Sequence, residues 1–434
     1  MVSDGTTRRE FLVRSGTASV TPVLAAQARL RLALVGTGNR GLTAWAQPLV
    51  ADYQDAVEMV GLCDINRKRA EVARQHLNIS VPTFVDFDEM VKATRPDAIV
   101  VTTPDATHWR YIVRGMELGC QVITEKGLCT DEEQCRAILE SQRKLNGKVI
   151  VAHNARHGVE AKKIRQLLME GAIGEVVSVF YNEYLSTDHG GSYFRRWHRL
   201  REMNGTLLVT ESCHHFDKVN WWLQSQPVEV MGAGRLAFYG KNNSFRSTHC
   251  RVCPYQKQCA FYWDIRKDAF LYKLYAECES EDGYHRDGCV WREDTNIYDT
   301  SSVLVKYANR ATLTYTSHAF MPYEGAAITC NGKKGRLDFT GYGGGGYRNQ
   351  ELRLTRLFAK SERIELEQEG PGSHHGADAS LLELLFRNKP AEDPLKLRAS
   401  LEEAALAALV GVAAYRSIDR GGQAVRIRDL DLLV

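Results

Sequence analysis

The run Glu211-Ser-Cys-His214-His215-Phe-Asp217 packs two carboxylates and two imidazoles into one short stretch. On a helix, Glu211 stands three residues before His214 and four before His215, and Asp217 follows His214 by one turn, so these groups can share a face. That spacing suits general acid–base chemistry, with Asp217 orienting the His214 imidazole. The alternative for a histidine pair beside Phe216 and Trp221 is one hydrogen-bonded core residue and one surface residue. Lys126, at the end of the apolar run that begins at Cys120, is a further proton-transfer candidate.

Tyr193, Arg195, Arg196, Trp197 and His198 form a second dense group of rings and donors. Apolar ring faces with fixed polar contacts are what a sugar site needs, whereas a structural loop stapled by arginine–carboxylate pairs would have the same composition. His215 joins this set as a substrate contact. Asn154 and Arg156 follow an apolar strand and could line a cleft between domains.

Eleven cysteines are unevenly spread, with Cys250, Cys253 and Cys259 in HCRVCPYQKQC and Cys289 further on. C-x2-C-x5-C suits a shared ion, and a structural zinc on Cys250, Cys253, Cys259 and Cys289 is the leading expectation, with His249 able to replace one thiolate. An iron–sulfur cluster, disulfides or free thiols are the rivals.

A strand-like run from Leu30 leads into Gly36, Gly38 and Gly41, with Asn39 and Arg40 inside the turn. The first glycine allows the tight turn, the second lets backbone approach a pyrophosphate, and the third lets helix and strand pack closely. A second apolar strand ends at Asp64, where a carboxylate can hold ribose hydroxyls. This predicts a dinucleotide site. Asp64 favours NAD over NADP by repelling a 2′-phosphate, although Arg67 and Lys68 could bind one.

The pattern continues as repeated βαβ: helix 67–77, strand 83–84, helix 87–93, strand 97–102 and a strand over 120–124. Ligands collect at the carboxyl ends of such strands, which here deliver Thr103, Pro104, His108, Glu125 and Lys126 to one rim. After strand 149–153 the period changes to a helix over 158–170, strands over 175–184, 228–236, 301–307 and 311–317, and a long helical stretch over 395–418. The expected fold is an α/β Rossmann domain over 29–152 and an α+β domain over 153–434 with a large, mostly antiparallel sheet and C-terminal helices packing back.

A net charge of +3 over 434 residues, with no basic stripe, gives no footprint for nucleic acid, and no run approaches the roughly 20 apolar residues of a membrane span. Residues 1–28 carry Arg8-Arg9-Glu10-Phe11-Leu12 before small and apolar residues, the pattern of a twin-arginine export signal and hence of a periplasmic protein. A plain tail on a cytoplasmic protein is the alternative.

GTGNRG, TTPDATH, EKG, HGGSYFRRWHR and CHHFDKVNWW together resemble the Gfo/Idh/MocA family of oxidoreductases over residues 30–434. The resemblance implies an NAD-type cofactor, a sugar, polyol or glycoside as hydride donor, and a homodimer or homotetramer. It places Lys126 beside nicotinamide and substrate hydroxyl, where the cationic ring would push the lysine pKa down, and carries the His-x-x-Asp pair to His214 and Asp217. Two positions depart from the family: Gly127 where proline is usual, and Glu211 where a lysine is common. The expected activity is oxidation of a secondary hydroxyl to a keto sugar. A redox-neutral, NAD-dependent glycosidase working through a keto intermediate and elimination is the second reading, and a non-catalytic nucleotide-binding protein the third.

Overall fold

The computed structural model describes residues 29–343, 349–368, 370, 373–387 and 393–430, so the export signal expected in 1–28 lies outside the described residues. Six parallel strands form the first sheet: β1 (Leu30–Val35), β2 (Val57–Cys63), β3 (Thr83–Phe84), β4 (Ala98–Val101), β5 (Gln121–Thr124) and β6 (Val149–Val151). Their order is β3-β2-β1-β4-β5-β6. Helices cover both faces, so β1 and β4 are buried throughout their centres and read as unbroken apolar runs. The direction of winding reverses between β1 and β4, and the crevice beyond their carboxyl ends is where such sheets take ligands. Asn66, Asp86 and Asp131 cap the helices Arg67–Leu77, Phe87–Thr94 and Glu132–Leu145 by accepting backbone N–H bonds at 2.8–2.9 Å.

The second sheet has nine strands: β7 (Val176–Ser186), β8 (Pro227–Arg235), β9 (Thr300–Tyr307), β10 (Thr312–Met321), β11 (Glu324–Gly332), β12 (Gly335–Gly343), β13 (Asn349–Arg356), β14 (Glu362–Ile364) and β15 (Val425–Arg426). They run β14-β13-β12-β11-β7-β10-β9-β8-β15. Among these pairings only β7 with β10 is parallel. Its buried side chains join the helices Cys213–Leu223 and Leu401–Asp419 in one core, including Phe216, Val219, Trp222, Val305 and Tyr315. The longer helix begins at a capping box: Ser400 accepts from the Glu403 N–H, and the Glu403 carboxylate accepts from the Ser400 N–H.

The segment joining β8 to β9 leaves the second domain and packs on the first. Ile265, Leu274 and Tyr275 are buried in the same apolar cluster as Leu34, Leu42 and Trp45, and so are Leu381 and Leu382 from the helix Ala377–Phe386. Two stretches of the second domain are therefore built into the walls of the first.

Candidate active site

Gly36 has φ +91°, and a side chain there would put Cβ 2.8 Å from the Thr102 and Thr103 backbone. At Gly41 a Cβ would lie 2.3 Å from the Gly36 carbonyl, so strand and helix touch backbone to backbone. These are the close approaches that a dinucleotide turn requires, and the residues present fit an NAD-type group. Asp64 ends β2 as expected, but its carboxylate is already well supplied. Oδ2 accepts from Thr37 N (2.8 Å) and Oγ1 (3.0 Å), and Oδ1 from Asn66 N (2.9 Å) and Arg69 (3.3 Å). Arg69 also pairs with Asp282 at 2.6 Å, and the Asn39 N–H donates to the Tyr275 hydroxyl at 2.7 Å. Tyr275 and Asp282 belong to the β8–β9 segment and gave no sequence signal. Arg67 is exposed on its helix, and Lys68 donates to Ser280 at 2.9 Å.

Several residues expected to touch the cofactor instead bind the protein. Arg40 pairs with Glu125 (2.7 Å) and, through both arms, with Asp378 (2.8 and 3.1 Å), while Trp45 donates to the same Glu125 oxygen at 2.7 Å. His108 bridges the carbonyls of Gly127 and Thr103, each at 2.8 Å. Thr103 accepts from Thr107 at 2.8 Å, and Pro104 caps the helix Asp105–Glu117. These side chains hold the rim in shape, so what they offer a dinucleotide is chiefly backbone.

Lys126 follows β5. Its Nζ donates to Glu211 Oε2 and to the Thr210 carbonyl, both at 2.8 Å, and the Tyr193 hydroxyl donates to the same Glu211 oxygen. Burial disfavours charge on Lys126, but the facing Glu211, with smaller help from Tyr193, holds its ammonium above the usual lysine range. Burial would likewise raise Glu211, yet Lys126, His189 and His214 keep it well below the carboxylate range. The downward shift expected for Lys126 is thus reversed in the chain itself, because the Glu211 carboxylate faces it at 2.8 Å. His214 is pushed well below the imidazole range by burial and by Lys126, so it is neutral near pH 7, and its Nδ1 has no hydrogen-bond partner.

Asp217 does not orient His214. It is fully buried and takes both arms of Arg156 at 2.7 Å each, so Arg156, also fully buried, is no substrate contact. Asn154 donates to Asp378 at 2.7 Å and is likewise spent. His215 lies against the sheet, bonded to the Tyr315 hydroxyl at 2.9 Å with Glu183 at 3.4 Å, and burial and Lys218 push it down to about 3. A charged, bidentate partner on a neighbouring segment outcompetes an imidazole one turn away.

Both halves of this arrangement match one family. Residues 30–153 match its NAD-binding Rossmann fold, and residues 165–427 its C-terminal alpha/beta domain. The chain belongs to the Gfo/Idh/MocA oxidoreductase family. It is 34% identical over 408 residues to YteT of Bacillus subtilis, covering 88% of this chain and 94% of that protein. To the D-glucoside 3-dehydrogenase of Escherichia coli it is 28% identical over 317 residues, 69% of this chain and 81% of the relative. The crystal structure of an aldose-aldose oxidoreductase from Caulobacter crescentus shares the fold, with a TM-score of 0.61 at 16% identity, over 92% of this chain and all of that one.

In this Gfo/Idh/MocA oxidoreductase the YFRRWHR segment does gather at the site. Tyr193 reaches Glu211, the His198 ring meets Tyr193 edge-on at 5.1 Å, and Trp197 stacks on His198 at 3.5 Å. Arg195 turns away, donating to Cys250 Sγ (3.2 Å) and to the Gly288 (3.3 Å) and Phe261 carbonyls. Cys250, Cys253, Cys259 and Cys289 line one small cavity with room for about one water-sized sphere. All eleven cysteines are unpaired, and among the described residues no three His, Cys, Asp or Glu side chains are placed to hold an ion. The placement of the side chains therefore gives the zinc expected on these four cysteines no support. His249 stacks on His285 at 4.2 Å.

Proposed function

We propose that this chain oxidises a secondary hydroxyl of a sugar or glycoside to the ketone, with NAD. The observation that carries the reading is Lys126, held charged against Glu211 at 2.8 Å at the carboxyl end of β5, with a neutral, unpartnered His214 one turn further on. NAD, when bound, accepts the hydride from the carbinol carbon. The chain handles the proton: His214 takes it from the hydroxyl, and the Lys126 ammonium donates to the oxygen as negative charge builds there. Glu211 and Tyr193 fix the lysine in place. The similarity to a D-glucoside 3-dehydrogenase supports the substrate class. NAD is favoured over NADP because a carboxylate at the end of β2 would repel a 2′-phosphate, and Lys68, which could bind one, is bonded to Ser280.

The test is absorbance at the NADH band with a panel of glycosides, with and without added NAD or NADP. NADH growing with added NAD, together with a keto-sugar product, is the expected result. Glycoside cleavage without net NADH would replace it by the redox-neutral glycosidase, and bound nucleotide with neither product would leave a nucleotide-binding protein.

A further inference from the structure

A cavity of about 490 Å³ opens beside this site, lined on its apolar side by Phe238, Phe261 and Trp263. Its size and rings suit a sugar. Three arginines also line it: Arg195, Arg196 and Arg286. Arg195 is committed to two carbonyls and a thiol. Arg196 spends its Nε on the Ser192 carbonyl at 2.8 Å, and Arg286 lies 5.2 Å over the Tyr275 ring. Among the described residues neither Arg196 nor Arg286 pairs with a carboxylate, whereas Arg40, Arg69, Arg156 and Arg251 each pair with two. Asp188 is the one carboxylate on the wall, which leaves the lining with a net positive charge.

The two guanidiniums line one cavity, and Arg196 borders the reacting centre through Tyr193. Burial, and after it Arg286, lowers the Arg196 pKa. Burial also opposes the charge on Arg286, but Tyr284 and Tyr275 hold it above its usual range. An anion at Arg196 would offset its desolvation. Arg196 sits 5.2 Å over the ring of Tyr193, whose hydroxyl donates to Glu211. Burial chiefly, with Arg196, Lys126 and Arg286 adding to it, holds His198 well below the imidazole range. A guanidinium is a planar fork that matches a carboxylate through two parallel bonds, as a lysine could not.

We infer that the sugar taken by this site is acidic: a uronate carboxylate sits between Arg196 and Arg286, with its ring against the aromatic wall and a secondary hydroxyl toward Lys126. The last clause rests on the oxidoreductase reading above. The carboxylate pocket rests on the two arginines alone, so binding is measured apart from turnover.

The experiment is calorimetric titration of the full chain, NAD present, with methyl galacturonoside and methyl glucuronoside, the matching neutral methyl hexosides, and hexose 6-phosphates. At least one uronoside should bind tenfold or more tighter than its neutral counterpart, and this preference should shrink as salt is raised. Arg196→Gln and Arg286→Gln should each remove the preference, weakening the uronoside at least tenfold more than the neutral sugar. Arg196→Lys and Arg286→Lys, which keep charge and lose the fork, should recover only part of it, with thermal unfolding confirming that each variant folds. Equal affinity for acid and neutral sugars would overturn the inference, as would tighter binding of the phosphates. So would an Arg286→Gln variant that weakens NAD and spares the uronoside, since that arginine would then belong to the cofactor. A uronoside that binds selectively without NADH appearing would sustain the carboxylate pocket and defeat only the proposed oxidation.

Discussion

Asp217 and Arg156 face each other through two bonds of 2.7 Å with neither side chain exposed to solvent. The pair ties the helix Cys213–Leu223, which carries His214, to the turn Asn154–His157 that follows β6. Removing the Asp217 charge leaves buried Arg156 with Glu403 as its one carboxylate partner, at 3.2 Å, a loss of up to about 3–5 kcal/mol. Asp217→Asn is therefore expected to lower the urea midpoint sharply while turnover per folded molecule stays within a few-fold of wild type. A variant of unchanged stability with kcat reduced a thousandfold would return Asp217 to the proton relay.

Lys126→Met is expected to reduce kcat/KM by about 10²–10⁴-fold and to spare NAD affinity, because the lysine acts on the substrate oxygen. Glu211→Gln tests the partner more finely. With the anion gone, burial would act on Lys126 unopposed and its pKa would fall, so the alkaline limb of the kcat/KM profile moves to lower pH. An unmoved limb would mean that the lysine's charge owes nothing to Glu211.

Stability should fall on the acid side well before the carboxylates titrate. His157 is held down to about 4, chiefly by burial and then by Lys162, and His215 down to about 3 by burial and Lys218. An unfolded histidine takes up its proton near pH 6.5, so between that pH and the folded value the unfolded chain binds more protons than the native one. The contribution is intact above about 6.5 and drains away as pH falls, by up to about 1.4 kcal/mol per unit for each such group. Urea midpoints at pH 7.5, 5.5 and 4.5 should decline in step, and a flat series would contradict the burial of these rings.

Gly41→Ala should abolish nucleotide binding or folding outright, because its new methyl would lie 2.3 Å from a carbonyl and 2.5 Å from Thr102 Oγ1. Gly171→Ala, which meets nothing within 4 Å, is the control for a glycine valued only for its positive φ. Fluorescence quenching on NAD addition separates the two.

The first domain was legible because doubly covered parallel strands leave unbroken apolar runs and because glycines at Gly36 and Gly41 have no substitute. Family resemblance and helical spacing pointed to Lys126, Glu211 and His214 as one group, and the structure brings Lys126 and Tyr193 together on Glu211. What escaped was decided between distant parts of the chain. Arg40 and Asp378 lie 338 residues apart and leave no local period, and the same holds for Asn39 and Tyr275, 236 apart. Asp217 shows the limit of spacing: one turn from His214 is compatible with contact, but a fully desolvated carboxylate takes the partner with the stronger charge. Strands β11 to β14 were hidden by their glycines and by short polar turns such as Lys333-Lys334.

The glycine turn is made among the first residues of the folded chain, yet the side chains that press on it come more than 200 residues later. Tyr275 touches Asn39, Asp282 holds the arginine behind Asp64, and Asp378 clamps Arg40. A ribosome that has released only the Rossmann half has made a nucleotide site without its outer wall. A chain interrupted before Asp378 would lack the clamp on Arg40 and is expected to hold its nucleotide less tightly than the full chain.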